Sequence, residues 1–298
     1  MSDATTDYGL LRNSAGLMGG LSGIVWVRGP DAVTFLDGLL SQNVAGLEAG
    51  SAGPSLLLTP RGKLRAPLYL LRGPDRVGIV TDASQTDAVG QDLNRFKIRV
   101  DVAIAFEPRP VWDIWGPHAA KSLNDVPEPG RWHDDGDQLV APFPLQRSDL
   151  PRFIVAGTRP PVPEVSGPAL TAVRIESGEP VMGVDLDEKT IPQEAGDISA
   201  AVDFTKGCYL GQELVARIDA RGHVNRRLMG LVFVDDALPP AGSEIRHNDE
   251  TVGHLTSIAW SEGLRAPVGL GLLRVEVGAG EEISAAGVSG EVAALPLR

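Results

Sequence analysis

Lys206-Gly-Cys-Tyr-Leu-Gly-Gln-Glu-Leu-Val-Ala-Arg217 holds the chain's only cysteine, set between a lysine and a Gln-Glu pair and punctuated by two glycines. Glycine permits left-handed turns and close backbone approach, so polar and reactive groups beside it mark backbone that passes near something. From Gly211 to Ile218 the run reads as a short helix, with Leu214, Val215 and Ile218 at helical spacing and Gln212, Glu213 and Arg217 projecting elsewhere. A glycine-rich entry into a helix offers free N–H groups to an anionic or polar ligand. Lys206 and the helix start both favour a thiolate at Cys208, which makes it the candidate reactive group. The competing reading is a structural turn with a buried thiol.

Outward from this stretch, the composition narrows the class. At 298 residues the chain has room for two or three domains. Its 27 basic and 39 acidic residues leave a net charge of −12, which argues against direct nucleic-acid binding. A single cysteine excludes an internal disulfide framework and points to a reducing compartment. Met1-Ser-Asp-Ala-Thr-Thr-Asp7 is too acidic for a signal peptide, and no apolar run approaches the ~20 residues of a spanning helix. A cytoplasmic protein without membrane contact is the expectation.

Residues 1–20 read as a flexible arm. Gly23–Arg28 reads as a strand, and Asp31 caps a helix carrying Phe35, Leu36, Leu39 and Leu40. Ser55–Thr59 and Leu64–Leu71 form a hairpin through Pro60-Arg-Gly-Lys63, and Val77–Thr81 adds a strand. Ser84-Gln-Thr-Asp87 has the look of a capping box opening a helix through Phe96, and Arg99–Phe106 alternates as a strand. Val111–Trp115 starts a second layer, the acidic run Asp134–Asp137 reads as a solvated turn, and Pro160–Pro168 as a linker. Ala169–Glu176 is helical. The long aperiodic connection Ser177–Thr205 leads straight into the Lys206 stretch and is read as functional. From Gly230 onward, short apolar runs separated by turns predict a small barrel. Strands and helices intermix without a βαβ rhythm, so the fold class is α+β.

The Lys-Gly-Cys-Tyr-x-Gly-Gln-Glu run resembles the hallmark of the YgfZ family, the bacterial relatives of mitochondrial IBA57, which are related to the glycine cleavage T-protein (aminomethyltransferase). The flanks agree: Arg174-Ile-Glu-Ser-Gly-Glu-Pro180, Gly183-Val-Asp-Leu-Asp187, Thr190-Ile-Pro-Gln-Glu-Ala-Gly196 and Asn225-Arg-Arg-Leu228. Gly253–Ser257 and Pro267–Arg274 look like the C-terminal barrel of T-proteins. The resemblance implies a three-domain cloverleaf around a folate cavity. Residues 21–228 would be a folate-binding region of two interleaved α+β subdomains, and 229–298 the β-barrel.

It also implies tetrahydrofolate or a derivative as cofactor. That molecule is a flat pterin with a guanidine-like edge, a benzoyl linker and an anionic tail. A carboxylate takes paired N–H donors from the edge, and a cation suits the tail. Glu176 matches in position the pterin-binding glutamate of T-proteins, and Lys206 falls where they carry a folate-contacting arginine. Gln193, Glu194, Tyr209, Gln212, Glu213 and Arg217 complete the expected cofactor-binding set. No His/Cys spacing fits a metal site.

T-proteins carry an Asp-Asp pair on the strand after the first hairpin. Here Ala66 and Pro67 stand in that register, and no carboxylate occurs between Glu48 and Asp75. Proton handling at a folate nitrogen then has no obvious agent. The family resemblance implies a folate-binding accessory protein for assembly and repair of iron–sulfur enzymes, tRNA-modifying ones included. Its partners would be those iron–sulfur proteins or their assembly factors. The alternative is an aminomethyltransferase-like one-carbon transferase whose acid comes from Asp185 or Glu194.

Overall fold

In the computed structural model, residues 3–234 and 236–297 are described. The stretch expected to be a flexible arm is ordered secondary structure: helix α1 (Ala4–Asn13) and strand β1 (Gly16–Gly19). Only Met1 and Ser2 of that stretch lie outside the described residues. The Asp3 carboxylate caps α1 at the Thr5 N–H, and Leu11 is fully buried against Trp115, Val165 and Leu170. With so few apolar residues, α1 shows no marked periodicity; tertiary packing stabilises it.

The first sheet follows the hairpin reading. It contains β2 (Ser22–Arg28), then after α2 (Ala32–Asp37) the strands β3 (Ala52–Leu58), β4 (Leu64–Arg72) and β5 (Arg76–Asp82). Helix α3 (Ala83–Phe96) and β6 (Ala103–Phe106) complete it, in the order β3-β4-β5-β2-β6. The turn at 60–63 requires Gly62: its φ is +74°, and a Cβ there would lie 2.5 Å from Leu214 Cβ. The capping box is not formed. Asp82 occupies the N-cap position of α3, and its side chain makes no cap bond but accepts from the Met182 N–H. The expected strand 99–106 shortens to β6 because Arg99 adopts a left-handed φ of +57°.

The second sheet has strands the sequence reading did not find. It comprises β7 (Val111–Trp115), β8 (His133–Asp134), β9 (Gln138–Pro142) and β10 (Arg152–Gly157), ordered β1-β7-β10-β9-β8. The two sheets pack face to face, with Ile24, Trp26, Tyr69 and Leu71 of the first against Leu139, Ala141 and Ile154 of the second. Asp134 is no solvated turn residue. Arg109 and Arg76 grip its carboxylate at 2.9 and 3.0 Å, and Arg76 stacks over the Trp26 ring.

Helix α4 (Gly167–Ser177) follows, ended by Gly178 in the left-handed conformation, then α5 (Pro192–Ala195) and α6 (Gln212–Arg221). Between α4 and α6 the chain is almost entirely irregular. The closed barrel comprises β11 (Arg226–Phe233), β12 (Glu244–His247), β13 (Glu250–Ser261), β14 (Ala266–Arg274), β15 (Glu282–Ala285) and β16 (Val288–Ala293), ordered β11-β14-β13-β12-β15-β16. Leu231, Phe233, Ile245, Leu255 and Leu273 fill it. On its outer wall Leu228, Val268 and Leu270 receive Ala172 and Ile175 of α4, so α4 joins the barrel to the rest. The architecture is α+β with a C-terminal barrel, as the resemblance implied.

Candidate functional site

A cavity of about 650 Å³ opens between the two sheets, α4 and the irregular segment 179–201, large enough for a cofactor-sized ligand. Its walls are mainly apolar and aromatic: Leu56, Leu68, Tyr69, Trp115, Phe143 and Ile198. Tyr69 and Phe143 lie 4.8 Å apart, centroid to centroid, and form one aromatic face. Burial pushes the Tyr69 phenol up to about 12, so it stays neutral. Six charged residues line the cavity: Asp82, Arg147, Arg152, Arg174, Glu179 and Asp197.

Two of the arginines are committed to neighbours. Arg152 donates to Asp113 and Ser22, and Arg174 donates to Asp185 (2.7 Å), Ser257 (2.7 Å) and the Glu179 carbonyl. Arg147 differs: it donates to the Gly178 and Ala195 carbonyls and makes no ion pair within 4.0 Å among the described residues. Burial lowers its pKa, and Glu179 counters this. Glu179 accepts from the Gln146 N–H at 2.7 Å. Burial raises its pKa, against the opposing pull of Arg147 and Arg152. Carboxyl and guanidinium thus stand as neighbours in an apolar cavity, each with bonding capacity left over.

The two residues expected to hold a cofactor do other work. Glu176 is buried on the α1 side of α4, where Tyr8 donates to its carboxylate at 3.0 Å and Arg12 pairs with it; it does not line the cavity. Helix geometry explains the placement. Glu176 lies on the face of α4 that packs on α1, and Gly178 turns the chain so that Glu179 takes the cavity position. Lys206 is also absent from the cavity lining. Its ammonium is buried and donates to the carbonyls of Asp37, Leu40 and Gln42 and to the Asp37 carboxylate.

None of the other expected residues reaches the cavity either. Gln193 donates to the Val215 carbonyl, and Glu194 accepts the Ile191 N–H and pairs with Arg226. Tyr209 is buried against Leu58, Leu64 and Val215, and burial raises its pKa. Gln212 accepts from the Tyr209 N–H, while Glu213 and Arg217 are exposed on α6. Cys208 is exposed, not buried, so the structural-thiol reading falls; Lys206, meant to favour its thiolate, is turned into the 37–42 segment. Asp185, offered as a substitute acid, is saturated by Arg174, Thr256, Ser257 and the Val181 N–H.

Sequence reasoning missed Asp82, Arg147 and Glu179. Two of them carried a legible signal: Asp82 ends a strand, and Glu179 follows a glycine that ends a helix. Arg147 lies in an irregular segment and had none.

Comparison with known proteins fits this geometry. Residues 226–296 match the model of the glycine cleavage T-protein C-terminal barrel domain. An aminomethyltransferase of Corynebacterium aurimucosum is 29% identical, over 97% of this chain and 88% of its own length. The iron–sulfur cluster assembly factor IBA57 homolog, mitochondrial, of Pyricularia oryzae is 23% identical, over 85% of this chain and 70% of its own. Its counterpart in Chaetomium globosum is 26% identical, and the chain spans 57% of that protein's length. The crystal structure of glycine cleavage system aminomethyltransferase T from Bartonella henselae superimposes with a TM-score of 0.85 at 21% identity, covering 98% of this chain and 89% of the other. The fold is therefore that of the glycine cleavage T-protein, with a matching C-terminal barrel. Within that fold the chain is similar both to aminomethyltransferases and to IBA57-named iron–sulfur cluster assembly factors.

Proposed function

We propose that the protein binds a reduced folate in the cavity between its two sheets and serves as an accessory factor in iron–sulfur cluster assembly and repair. The observation that carries this reading is that Glu179 and Arg147 both line the cavity beside the Tyr69–Phe143 face without forming an ion pair. A half-free carboxylate suits the paired N–H donors of a pterin edge, and a guanidinium without a carboxylate partner suits a carbonyl or anionic group. The aromatic face accommodates a flat ring. When bound, the folate would supply a carrier for one-carbon units; the chain's own residues orient it and exclude water.

The assembly role rests on the IBA57 relatives, and its partners are iron–sulfur proteins or their assembly factors, tRNA-modifying enzymes among them. The surface offered to them is the segment around Cys208, whose thiol faces outward away from the cavity. The cytoplasm is the compartment we assign, on the lone exposed thiol; the IBA57 relatives are named mitochondrial. No helix among the described residues is long and apolar enough to cross a membrane.

The test is an anaerobic calorimetric titration with tetrahydrofolate. Saturable binding is expected for the wild type and Cys208→Ala, at least about tenfold weaker in Glu179→Gln. A wild type that does not bind ends the folate reading. One observation favours the alternative of a one-carbon transferase: although β4 carries no acid, the carboxyl of Asp82 does face the cavity. Catalytic turnover of an aminomethyl donor to methylenetetrahydrofolate would decide for it.

A further inference from the structure

Asp82 stands where the sheet register compensates for the bare strand β4. Strands β4 and β5 pair antiparallel with Tyr69 opposite Val80 and Leu70 opposite Ile79. Continuing that register brings Asp82 level with Pro67, and the Thr81 hydroxyl donates to the Pro67 carbonyl at 3.0 Å. Both Pro67 and Asp82 line the cavity.

The carboxyl is poorly provided for. Its Oδ2 accepts the Met182 N–H at 3.0 Å, and among the described residues no hydrogen bond reaches Oδ1. The charged groups facing it come from three elements: Asp113 of β7, Arg152 of β10 and Arg174 of α4. Both arginines are spent on other carboxylates, Arg152 on Asp113 and Arg174 on Asp185. Asp113 is fully buried, so Asp82 has a second acid as neighbour and no cation of its own. Burial, chiefly, and Asp113 raise its pKa, with Met182 and the two arginines opposing. Glu179 differs in having backbone N–H donors from both Gln146 and Arg147 to hold its charged form.

We propose that Asp82 meets the cavity's ligand as a neutral carboxylic acid, donating its Oδ1–H to an acceptor atom, a ring nitrogen or carbonyl oxygen, of the bound molecule. This rests on the folate reading and assigns it a recognition residue. Binding then takes up one proton wherever free Asp82 is ionised: the carboxylate gains the proton from solvent, and the resulting O–H is shared with the ligand acceptor. Glu179 accepts from donors and Asp82 donates to an acceptor, so the pair selects a ligand that presents both kinds of edge.

The experiment is the affinity for tetrahydrofolate from about pH 6 to about pH 8.5, for the wild type, Asp82→Asn and Glu179→Gln, with thermal melts to confirm folding. Wild-type affinity is expected to fall with rising pH by up to about tenfold per unit, the limit for one proton. Asp82→Asn keeps an N–H donor and cannot titrate, so it should lose the fall with pH and keep only the opposite contribution of Glu179, while Glu179→Gln binds more weakly and keeps the fall. The ligand's own titration is common to all three proteins and cancels. A flat profile in Glu179→Gln, or the same slope in Asp82→Asn as in the wild type, overturns the role of Asp82 and leaves the folate reading standing. Absence of wild-type binding at every pH removes both.

Discussion

Lys206 Nζ lies 3.0 Å from Asp37 Oδ1 and also donates to the Asp37, Leu40 and Gln42 carbonyls, tying the Cys208 segment to the end of α2. A lysine next to a lone cysteine invites a chemical reading, but this ammonium is a buried strut. Lys206→Met would leave three carbonyls and a carboxylate without their donor, at a cost of about 3 kcal/mol. The urea midpoint should fall with the slope unchanged. Folate affinity at temperatures where the variant is folded should stay at the wild-type value. Lys206→Arg should not restore stability, because the planar fork cannot reach the same convergent acceptors.

Glu176, which sequence position made look functional, is buried and paired with the half-buried Arg12. Arg12→Ala strands a carboxylate that only Tyr8 then contacts, and should cost about 3 kcal/mol. Thermal melts read the loss directly. The same variant should bind tetrahydrofolate normally, since neither residue lines the cavity.

Asp134 gives the fold an acid-sensitive joint. The hydrogen bond from Arg109, more than any other contact, holds its carboxyl down at about 2. A folded value below the unfolded one, near about 3.9, means that its stabilisation is complete above that pH and is lost as pH falls toward the folded value. Urea midpoints of wild type and Asp134→Asn should therefore differ most above about pH 5 and converge toward about pH 2.

The cavity carboxyl of Glu179 has the opposite sign. Burial raises its folded value above the unfolded one, so its favourable contribution is present at low pH and is lost as pH rises through the folded value. In the ligand-free protein, Glu179→Gln should therefore raise the melting temperature near pH 8, with the gain disappearing in acid. Differential scanning calorimetry across pH reads this without any ligand.

Cys208 is exposed, so Cys208→Ala should change stability by no more than about 0.5 kcal/mol. The native thiol should react with a maleimide at the rate of an unfolded control. Protection of that thiol by a purified iron–sulfur client would locate the docking surface.

Local signals were strong enough to declare much of this molecule. Alternating apolar runs with Gly62 at the turn specify the β3–β4 hairpin, because only glycine fits against Leu214 at that φ. Short runs between turns announce the barrel, and the aperiodic segment after Ser177 contributes residues to the cavity wall. The charge balance and single cysteine were legible without any structure. Helix α1 and strands β8–β10 were not, since their residues become core only when two sheets and a distant helix meet over them. Assignment of the cavity's side chains lay beyond the sequence for the same reason. Whether Glu176 or Glu179 faces the cavity depends on the left-handed turn at Gly178 and on what packs against α4. Whether Lys206 meets a ligand depends on carbonyls some 166 positions earlier in the chain. A motif establishes which groups are present; long-range packing decides which of them keep an unpaired atom for a ligand.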